Sequence, residues 1–506
     1  MVADDPTRAI GTPTVISAPT SPSRHVRVAI IGSGFSGIGM AIRLRQAGIE
    51  DFVILERAGD LGGVWRDNTY PGCACDVESH LYAFSFAPNP DWSHRYSPQA
   101  EIWAYLQRCA DRFGVTPYIR YHHTVEAARW DDATARWHLT TSGGAYTANV
   151  MVAATGALSE PRLPDLPGLD TFSGPVFHSA QWNHAVDLAG KRVAVLGTGA
   201  SAVQFIPAIQ PTVGKLIVFQ RTPAWVVPRD DHAFGEGTRG FLRRFPAAQR
   251  ALRARITLTR EMLGVGFRHP VIMRVLGGLA RRHLRQSVAD PTLRALLTPD
   301  FIPGCKRILV SDDYYPALAR PNVEVVRGAA VSVSPNAVIG SDGVAREVDV
   351  IICSTGFHVT DFPFAHRVRG RDGRSLADAW SATATAHLGT TVAGYPNLFL
   401  VPGPNTGLGH SSVLLMFEAQ IAHVMDALRH MDALGLTAVE PRPEAQAAFV
   451  AEVDRRMANT VWLKGGCESW YLDATGRNST LWPGTPRQFR RRVARFRPEE
   501  YALRHV

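Results

Sequence analysis

Two glycine-rich turns, each directly after a short apolar strand pattern, constrain the fold of this chain more than any other feature. The first reads GSGFSG after VAII, and the second reads GTGASA after VAVL. In such a turn the first glycine permits a sharp bend, the second lets the main chain approach a pyrophosphate, and the third position lets the next helix pack on the strand. The positions concerned are Gly32, Gly34 and Gly37 in the first turn, and Gly197, Thr198, Gly199, Ala200, Ser201 and Ala202 in the second. The sequence therefore predicts two dinucleotide-binding units with an α/β fold.

The residue that would meet the adenosine ribose differs between the two units. The strand pattern FVILE ends in Glu56, nineteen residues beyond Gly37, where a carboxylate accepts hydrogen bonds from ribose hydroxyls. The matching strand of the second unit, KLIVFQRT, has Gln220 in that place, followed by Arg221 and Thr222. Loss of the carboxylate and gain of a guanidinium favour a 2′-phosphate. We therefore assign FAD to the first unit and NADPH to the second.

The length and two further strand patterns predict the domain organisation. A chain of 506 residues suits two or three domains. The segments VAATG and ICSTG end at Gly156 and Gly356 and are typical of strands that return the chain between nucleotide-binding units. We expect a second unit inserted in the first, and an arginine- and leucine-rich helical insertion within the second. The predicted ranges are a disordered arm at 1–25, an FAD domain at 26–156 and 388–506, and an NADPH domain at 157–387 with its insertion at about 228–302.

Composition excludes several other classes of protein. No apolar run is long enough to span a membrane and no signal peptide is visible, so we expect a cytoplasmic protein. Six cysteines do not suggest a disulfide framework, and Cys73 and Cys75 are expected to be reduced. The net charge of +9 owes much to C-terminal arginines, interpreted as a solvated helix face without nucleic-acid binding. The histidines do not cluster, so we expect no metal site; the oligomeric state stays open.

Three further motifs resemble those of type I Baeyer–Villiger monooxygenases, over about residues 26 to 495. FSGPVFHSAQW fits the pattern FxGxxxHxxxW, although Asn183 follows where the family has proline or aspartate. GGVWRDNTYPGCACD resembles the family's flavin loop, and GCKRILVSDDYY resembles the segment with its essential arginine. The strings NTGLGHSS and GRNSTLWPG most resemble a branch near hydroxyacetophenone monooxygenases.

The resemblance assigns roles to individual residues. It implies that Arg307 and Asp76 are catalytic, Arg307 by stabilising the anion of a C4a-peroxyflavin and Asp76 by orienting it. It implies a domain-linker role, without proton transfer, for Phe172, Gly174, His178 and Trp182. It implies NADPH contacts for Lys306, Arg307 and Trp470. It implies FAD contacts for Gly63, Val64, Trp65, Asp76, Tyr82, Val125 and Val413.

Three functions are compatible with these patterns. The favoured one is a flavin monooxygenase that uses NADPH and O2 to insert oxygen next to a ketone carbonyl, giving an ester or lactone. The second is a flavin monooxygenase that oxygenates nitrogen or sulfur, against which Trp182, Asp76 and Arg307 argue. The third is a flavoprotein that carries electrons or senses redox state, and such a protein would not require Arg307. The sequence does not identify the ketone.

Overall fold

The computed structural model describes residues 23–505. Most of the predicted disordered arm, residues 1–22, lies outside the described residues. The end of that prediction is wrong, because Arg24 and His25 already belong to the first strand and pair with Tyr146 and Thr147. Main-chain pairing extends this strand beyond its apolar residues, which were the only signal that the sequence offered.

The described residues form twenty strands, numbered in chain order. They are β1 Arg24–Ile31, β2 Phe52–Leu55, β3 Ile119–Arg120, β4 Val125–Asp131, β5 Arg136–Thr141, β6 Gly144–Ala153, β7 Val176–His178, β8 Arg192–Leu196, β9 Lys215–Gln220, β10 Val226–Val227, β11 Leu309–Val310, β12 Val323–Arg327, β13 Ala330–Ser334, β14 Ala337–Gly340, β15 Ala345–Glu347, β16 Val350–Cys353, β17 Val368–Arg369, β18 Leu398–Leu400, β19 Leu436–Pro441 and β20 Tyr501–His505.

Fourteen α-helices lie in the same part of the chain. They are α1 Phe35–Gln46, α2 Val64–Asp67, α3 Gln99–Arg112, α4 Ala200–Ile209, α5 Glu236–Arg244, α6 Pro246–Phe267, α7 Pro270–Ser287, α8 Pro291–Leu296, α9 Tyr314–Leu318, α10 Leu376–Ala379, α11 Leu414–Leu434, α12 Pro443–Met457, α13 Val461–Lys464 and α14 Pro486–Arg492. Within residues 23–505 no helix is both long enough and apolar enough to cross a bilayer.

The larger sheet carries the first glycine-rich turn. Its strand order is β17, β4, β5, β6, β1, β2 and β3, and β18 adds a further pairing to β6. The strands β6, β1, β2 and β3 are parallel, whereas β4, β5 and β6 form an antiparallel meander. The buried ends of the inner strands, Val28–Ile31 of β1 and Phe52–Leu55 of β2, are wholly apolar because both faces of the sheet are covered there. Val28 and Ile30 pack on the α1 and α11 side, and Ala29 and Ile31 pack on the other.

The second sheet is entirely parallel and carries the second glycine-rich turn. Its order is β12, β9, β8, β16 and β7. All its strands lie between residues 176 and 353, while the larger sheet takes strands from before and after that range. Four helices, α5 to α8, lie between β10 and β11. The predicted α/β fold with two dinucleotide-binding units and a helical insertion is confirmed.

One disulfide was not predicted from the sequence. Cys305 is bonded to Cys467, which lies 162 residues further along the chain, whereas Cys73, Cys75, Cys109 and Cys353 are free. The bond fastens the segment before β11 to the loop that follows α13. No local spacing of cysteines predicts a bond between residues so distant in sequence.

Candidate active site

The first glycine-rich turn is enclosed between β6 and a covering loop. Gly32 has a φ of +101°, and a Cβ there would lie 2.7 Å from the Ala154 carbonyl oxygen. A Cβ on Gly37 would lie within 1.9 Å of the Gly32 oxygen, so helix α1 can approach the strand only with glycine there. The covering loop begins at Gly62, whose N–H donates to the Ser33 oxygen at 3.0 Å. Gly63 in that loop lies against Gly34.

The second turn repeats this construction but is open. Gly197 has a φ of +103°, and a Cβ there would lie 2.5 Å from the Ser354 oxygen at the end of β16. Gly199 is exposed and has no neighbour near its Cβ position. Helices α1 and α4 begin after Gly34 and Gly199 without a side-chain cap. Their first N–H groups are thus left for an anionic ligand, as dinucleotide pyrophosphates require.

The ribose positions of the two units have different partners. Glu56 is buried and accepts hydrogen bonds from Ser33 N at 2.9 Å, from Ser33 Oγ at 2.6 Å and from Ala58 N at 2.9 Å. Gln220 is also buried, but its Nε2 donates to the Leu296 carbonyl oxygen at 3.0 Å. The Gln220 side chain is therefore turned toward the helical insertion, and Arg221 is left exposed beside the second turn.

Two cations lie together at the second unit. Burial lowers the pKa of Lys306, and the neighbouring charge of Arg221 lowers it further. The two side chains are 85 positions apart in sequence and neither forms a salt bridge within the described part of the chain. Glu468 and Asp300 raise the pKa of Lys306, but less than burial and Arg221 lower it. Two like charges without an ion-pair partner favour an anion between them. The Thr198 hydroxyl donates to the Thr222 oxygen at 3.4 Å, which joins the turn to this cationic segment.

The loop from Gly62 to Asp76 connects the two units. Near its end, the Tyr70 hydroxyl donates to Gln204 Oε1 at 2.9 Å, and Gln204 Nε2 donates to the Ala74 oxygen at 2.9 Å. Gln204 lies on α4, the helix of the second turn. The loop thus starts on the first turn and ends against the second, which places Asp76 between the two nucleotide sites.

Asp76 and Arg307 form an ion pair at this junction. Arg307 Nε and Nη2 both donate to Asp76 Oδ2, at 2.8 Å and 2.6 Å, so that Nη1 stays outside the pair. The side chains are 28% and 26% exposed respectively, which leaves them accessible to a ligand. Burial alone would raise the pKa of Asp76, but the charge of Arg307 outweighs it and the pKa is lowered. The Asp76 charge raises the pKa of Arg307, so both groups stay ionised near neutral pH.

A second ion pair next to the first was not predicted from the sequence. Arg260 on α6 pairs with Glu78 through Nη2 at 2.7 Å and Nε at 2.9 Å. Its charge also helps to lower the pKa of Asp76. Arg260 lies in a helix with many arginines, a pattern typical of a solvated surface, and no spacing signal distinguishes it from the others. The site therefore holds the ion pairs Asp76–Arg307 and Glu78–Arg260, and Arg95 Nη2 lies 3.7 Å from Glu78 Oε1 as a third guanidinium.

Known proteins resemble this chain over nearly its whole length. The family model described as flavin-binding monooxygenase-like matches residues 25–247. A Baeyer–Villiger monooxygenase of Streptomyces coelicolor is 53% identical, covering 95% of this chain and 93% of that protein. Another from Pseudomonas aeruginosa is 47% identical, covering 95% and 92%. The chain belongs to the Baeyer–Villiger monooxygenase family. A solved cyclohexanone monooxygenase from Rhodococcus, bound to NADP+, is 29% identical with a TM-score of 0.85, covering 96% of this chain and all of that one.

Membership confirms the prediction of a monooxygenase that uses FAD, NADPH and oxygen. The more specific branch near hydroxyacetophenone monooxygenases stays a prediction. A steroid monooxygenase bound to NADP shares the fold as well, with a TM-score of 0.84 and 29% identity over 95% of this chain and all of that one.

Four residues with predicted flavin contacts are gathered in this monooxygenase on the α1 side of the larger sheet. Trp65 Nε1 donates to the Tyr82 hydroxyl at 3.1 Å, and burial strongly raises the pKa of Tyr82. Val64 and Val413 pack against the same cluster. Val125 does not join them, because its side chain packs in the cluster on the opposite side of the sheet. Its carbonyl oxygen accepts a hydrogen bond from Arg367.

Two other groups of predicted residues lie apart from the ion pairs. Trp470 is exposed, and its ring centroid lies 4.3 Å from that of Tyr471 at an interplanar angle of 52°. Tyr471 is itself close enough to Arg307 to influence the pKa of Arg307. His178 ends β7, is buried, and accepts through Nδ1 from Ala180 N at 3.1 Å. The Trp182 ring meets Phe177 and Phe205 at the edge of the second sheet, and a Cβ on Gly174 would lie 2.2 Å from the Asp349 oxygen. Phe172 packs on the other face of that sheet.

Polar atoms without partners support the flavin assignment. His410 is buried just before α11, and neither of its ring nitrogens has a hydrogen-bond partner. Burial lowers its pKa to about 4, so the imidazole is neutral. The adjacent Ser411 hydroxyl is also unpartnered. Such atoms suit a bound group that offers hydrogen bonds, as an isoalloxazine does. Among the described residues no cluster of three potential metal ligands occurs.

Proposed function

We propose that this monooxygenase inserts one oxygen atom beside the carbonyl of a ketone, with Arg307 as the catalytic residue and Asp76 as its positioning partner. The observation that carries the proposal is the Asp76–Arg307 ion pair at the junction of the two nucleotide units. When bound, FAD reduced by NADPH activates dioxygen and supplies the oxygen atom that is transferred. The substrate is a small-molecule ketone.

Arg307 stabilises negative charge on oxygen. A guanidinium is charged at every relevant pH and offers several donors in one plane. The raised pKa of Arg307 reinforces this permanence. Because Asp76 occupies only Nε and Nη2, Nη1 can donate to an oxyanion that develops at the substrate carbonyl. A neutral residue would not favour the anionic form, and attack on a ketone requires an anionic oxygen nucleophile.

Asp76 acts through Arg307. With both contacts on a single oxygen, Oδ2, it fixes the plane of the guanidinium. Arg260, fixed by Glu78, helps to keep Asp76 ionised and thus available as this anchor. Asp76 and Arg307 therefore both keep their charges near neutral pH.

The nucleotide assignments complete the proposal. Glu56 accepts from the ribose of FAD at the covered first turn, and Arg221 with Lys306 binds the 2′-phosphate of NADPH at the open second turn. We keep the predicted domain ranges with two changes: the FAD domain begins at Arg24, and it also includes β17, because Val368 and Arg369 pair with β4 of the larger sheet. The motif from Phe172 to Trp182 is the linker between the two units. The predicted cytoplasmic location and the lack of nucleic-acid binding stay predictions.

The test separates oxygen insertion from the earlier steps. We expect Arg307→Ala to bind FAD and consume NADPH, to release hydrogen peroxide, and to form ester about 10² to 10³-fold more slowly, the usual effect of losing one oxyanion donor. The measurement is NADPH consumed, peroxide released and ester formed in the same reaction with a panel of cyclic, aryl and long-chain ketones.

Two comparisons control for charge and folding. Arg307→Lys keeps the charge without the planar donor pair, so it should restore only part of the ester yield. Arg327→Ala removes an exposed arginine at the end of β12 and should behave as the parent. Ester formation by Arg307→Ala at the parent rate would show that the catalytic assignment is wrong.

A further inference from the structure

The helical insertion exposes an unusual amount of apolar surface. Of the sixteen large hydrophobic side chains exposed in the described residues, nine lie between 241 and 279. Leu258 and Met262 form a line on α6, and Val271, Val275 and Leu279 form a line on α7. These five side chains are 61% to 74% exposed. Helices α6 and α7 pack against each other as a hairpin, which we name the docking hairpin, residues 246–289.

The docking hairpin is also strongly basic. It contains nine arginines and a single acidic residue, Glu261. Arg253 and Arg260 face inward, to main-chain oxygens and to Glu78 respectively. The arginines beside the apolar lines have no carboxylate within 4 Å among the described residues; they are Arg255, Arg268, Arg274, Arg282 and Arg285. A strongly basic rim therefore surrounds an exposed apolar ridge.

The basic surface continues beyond the hairpin. Glu261 Oε1 accepts from Arg487 N at 3.2 Å, so helix α14 adjoins α6. Arg487, Arg490 and Arg491 are exposed on α14. The C-terminal arginines, interpreted from the sequence as a solvated face, thus adjoin the same cationic region as the docking hairpin.

We propose that the docking hairpin binds the surface of a bilayer that contains anionic lipids. Helices that lie in a membrane interface combine an apolar face with flanking arginine or lysine, and their binding grows with both apolar area and anionic lipid. Exposed apolar patches of this kind mark interaction sites. The occupant complements both properties of the surface: acyl chains meet the apolar ridge, and phosphate headgroups meet the arginines.

The same features disfavour two other occupants of this surface, a second copy of the chain and a peptide helix. A second copy docked through a two-fold axis would place the arginine rim against itself, and like charges oppose such an interface. A peptide helix requires an apolar groove, whereas side chains that are about two thirds exposed form a ridge. The inner side of α6 adjoins the active site, since Arg260 contacts Glu78 and a Cβ on Gly264 would lie 2.6 Å from His410 Nε2. The docked surface is therefore the outer side of a helix whose inner side forms the site.

The test is flotation of the FAD-loaded enzyme with vesicles of phosphatidylcholine alone or with about 30% phosphatidylglycerol. At about 0.1 M salt we expect at least tenfold more enzyme on the anionic vesicles, and a loss of most binding at about 1 M salt, where charges are screened. The double variant Met262→Glu with Val275→Glu should reduce binding about tenfold or more. Arg274→Gln with Arg282→Gln should reduce binding to anionic vesicles only.

The matched control makes the same charge change elsewhere. Val331→Glu with Val344→Glu alters two exposed valines around the β13–β14 hairpin and should bind vesicles as the parent does. Flavin content and thermal midpoint are measured for every variant, so a loss of fold is recognised. Absence of parent binding, equal binding to both vesicle types, or equal loss in the control would overturn the proposal. So would a parent dimer, or a complex with an acidic amphipathic peptide, that forms through Met262 and Val275 without vesicle binding.

Discussion

The two glycine-rich turns are built alike but are enclosed differently. In each, the first glycine has a φ near +100° and lies against a carbonyl oxygen of the returning strand, at Ala154 and at Ser354. The first turn is covered by the loop at Gly62 and Gly63, whereas the second is open at Gly199. One backbone motif thus serves two tasks: a covered turn suits a resident cofactor, and an open turn suits a nucleotide that must exchange in each cycle.

The first test, which has the largest expected effect, substitutes the residue at the third position of each glycine-rich turn. We expect Gly37→Ala to be purified with at least tenfold less FAD, because its Cβ would lie 1.9 Å from the Gly32 oxygen and force α1 away from β1. Ala202→Gly at the matching place should keep full flavin and lose only about 1 kcal/mol of unfolding free energy through lower helix propensity. The measurements are the flavin-to-protein absorbance ratio and denaturant unfolding. A flavin-replete Gly37→Ala would contradict the account of the covered turn.

This contrast was only partly visible in the sequence. Strand, turn and ribose residue are local patterns, so both turns and the difference between Glu56 and Gln220 could be predicted. The cover over Gly34, the bond between Cys305 and Cys467 and the pairing of Arg260 with Glu78 could not, because each joins segments whose proximity depends on the folded chain. Asp76 and Arg307 were found through family motifs, and local spacing alone does not bring them together.

The second test removes the carboxylate at the first turn. Glu56→Gln replaces a buried acceptor of Ser33 N and Ala58 N with an amide that can satisfy fewer of these donors and leaves Arg66 with less counter-charge. We expect FAD to bind about tenfold more weakly, equivalent to about 1.4 kcal/mol, without change in the preference for NADPH. Asp67→Asn is the matched control, since it also faces Arg66 but not the ribose position. Fluorescence titration of the apoprotein with FAD measures the effect, and equal affinity for Glu56→Gln and the parent would count against the assignment.

The third test uses pH and should affect the second turn alone. Burial and Arg221 lower the pKa of Lys306 in the free enzyme. As pH rises through this lowered pKa, Lys306 loses its charge, so kcat/KM for NADPH should fall a few-fold while kcat/KM for NADH changes little. Arg221→Ala removes the repelling charge, and the fall should move to higher pH. Parallel pH profiles for NADPH and NADH would contradict a role of Lys306 in binding the 2′-phosphate.

The most direct measurement is the ratio of kcat/KM for NADPH to that for NADH, taken together with flavin content, in the parent and in Arg221→Ala. Loss of one charged hydrogen-bond donor to a phosphate costs about 1.5 to 3 kcal/mol, so we predict that the ratio falls about 10- to 150-fold. The decrease should come from NADPH, with NADH and bound FAD unaffected. An unchanged ratio, or loss of FAD in this variant, would contradict the assignment of the covered turn to the flavin and the open turn to NADPH.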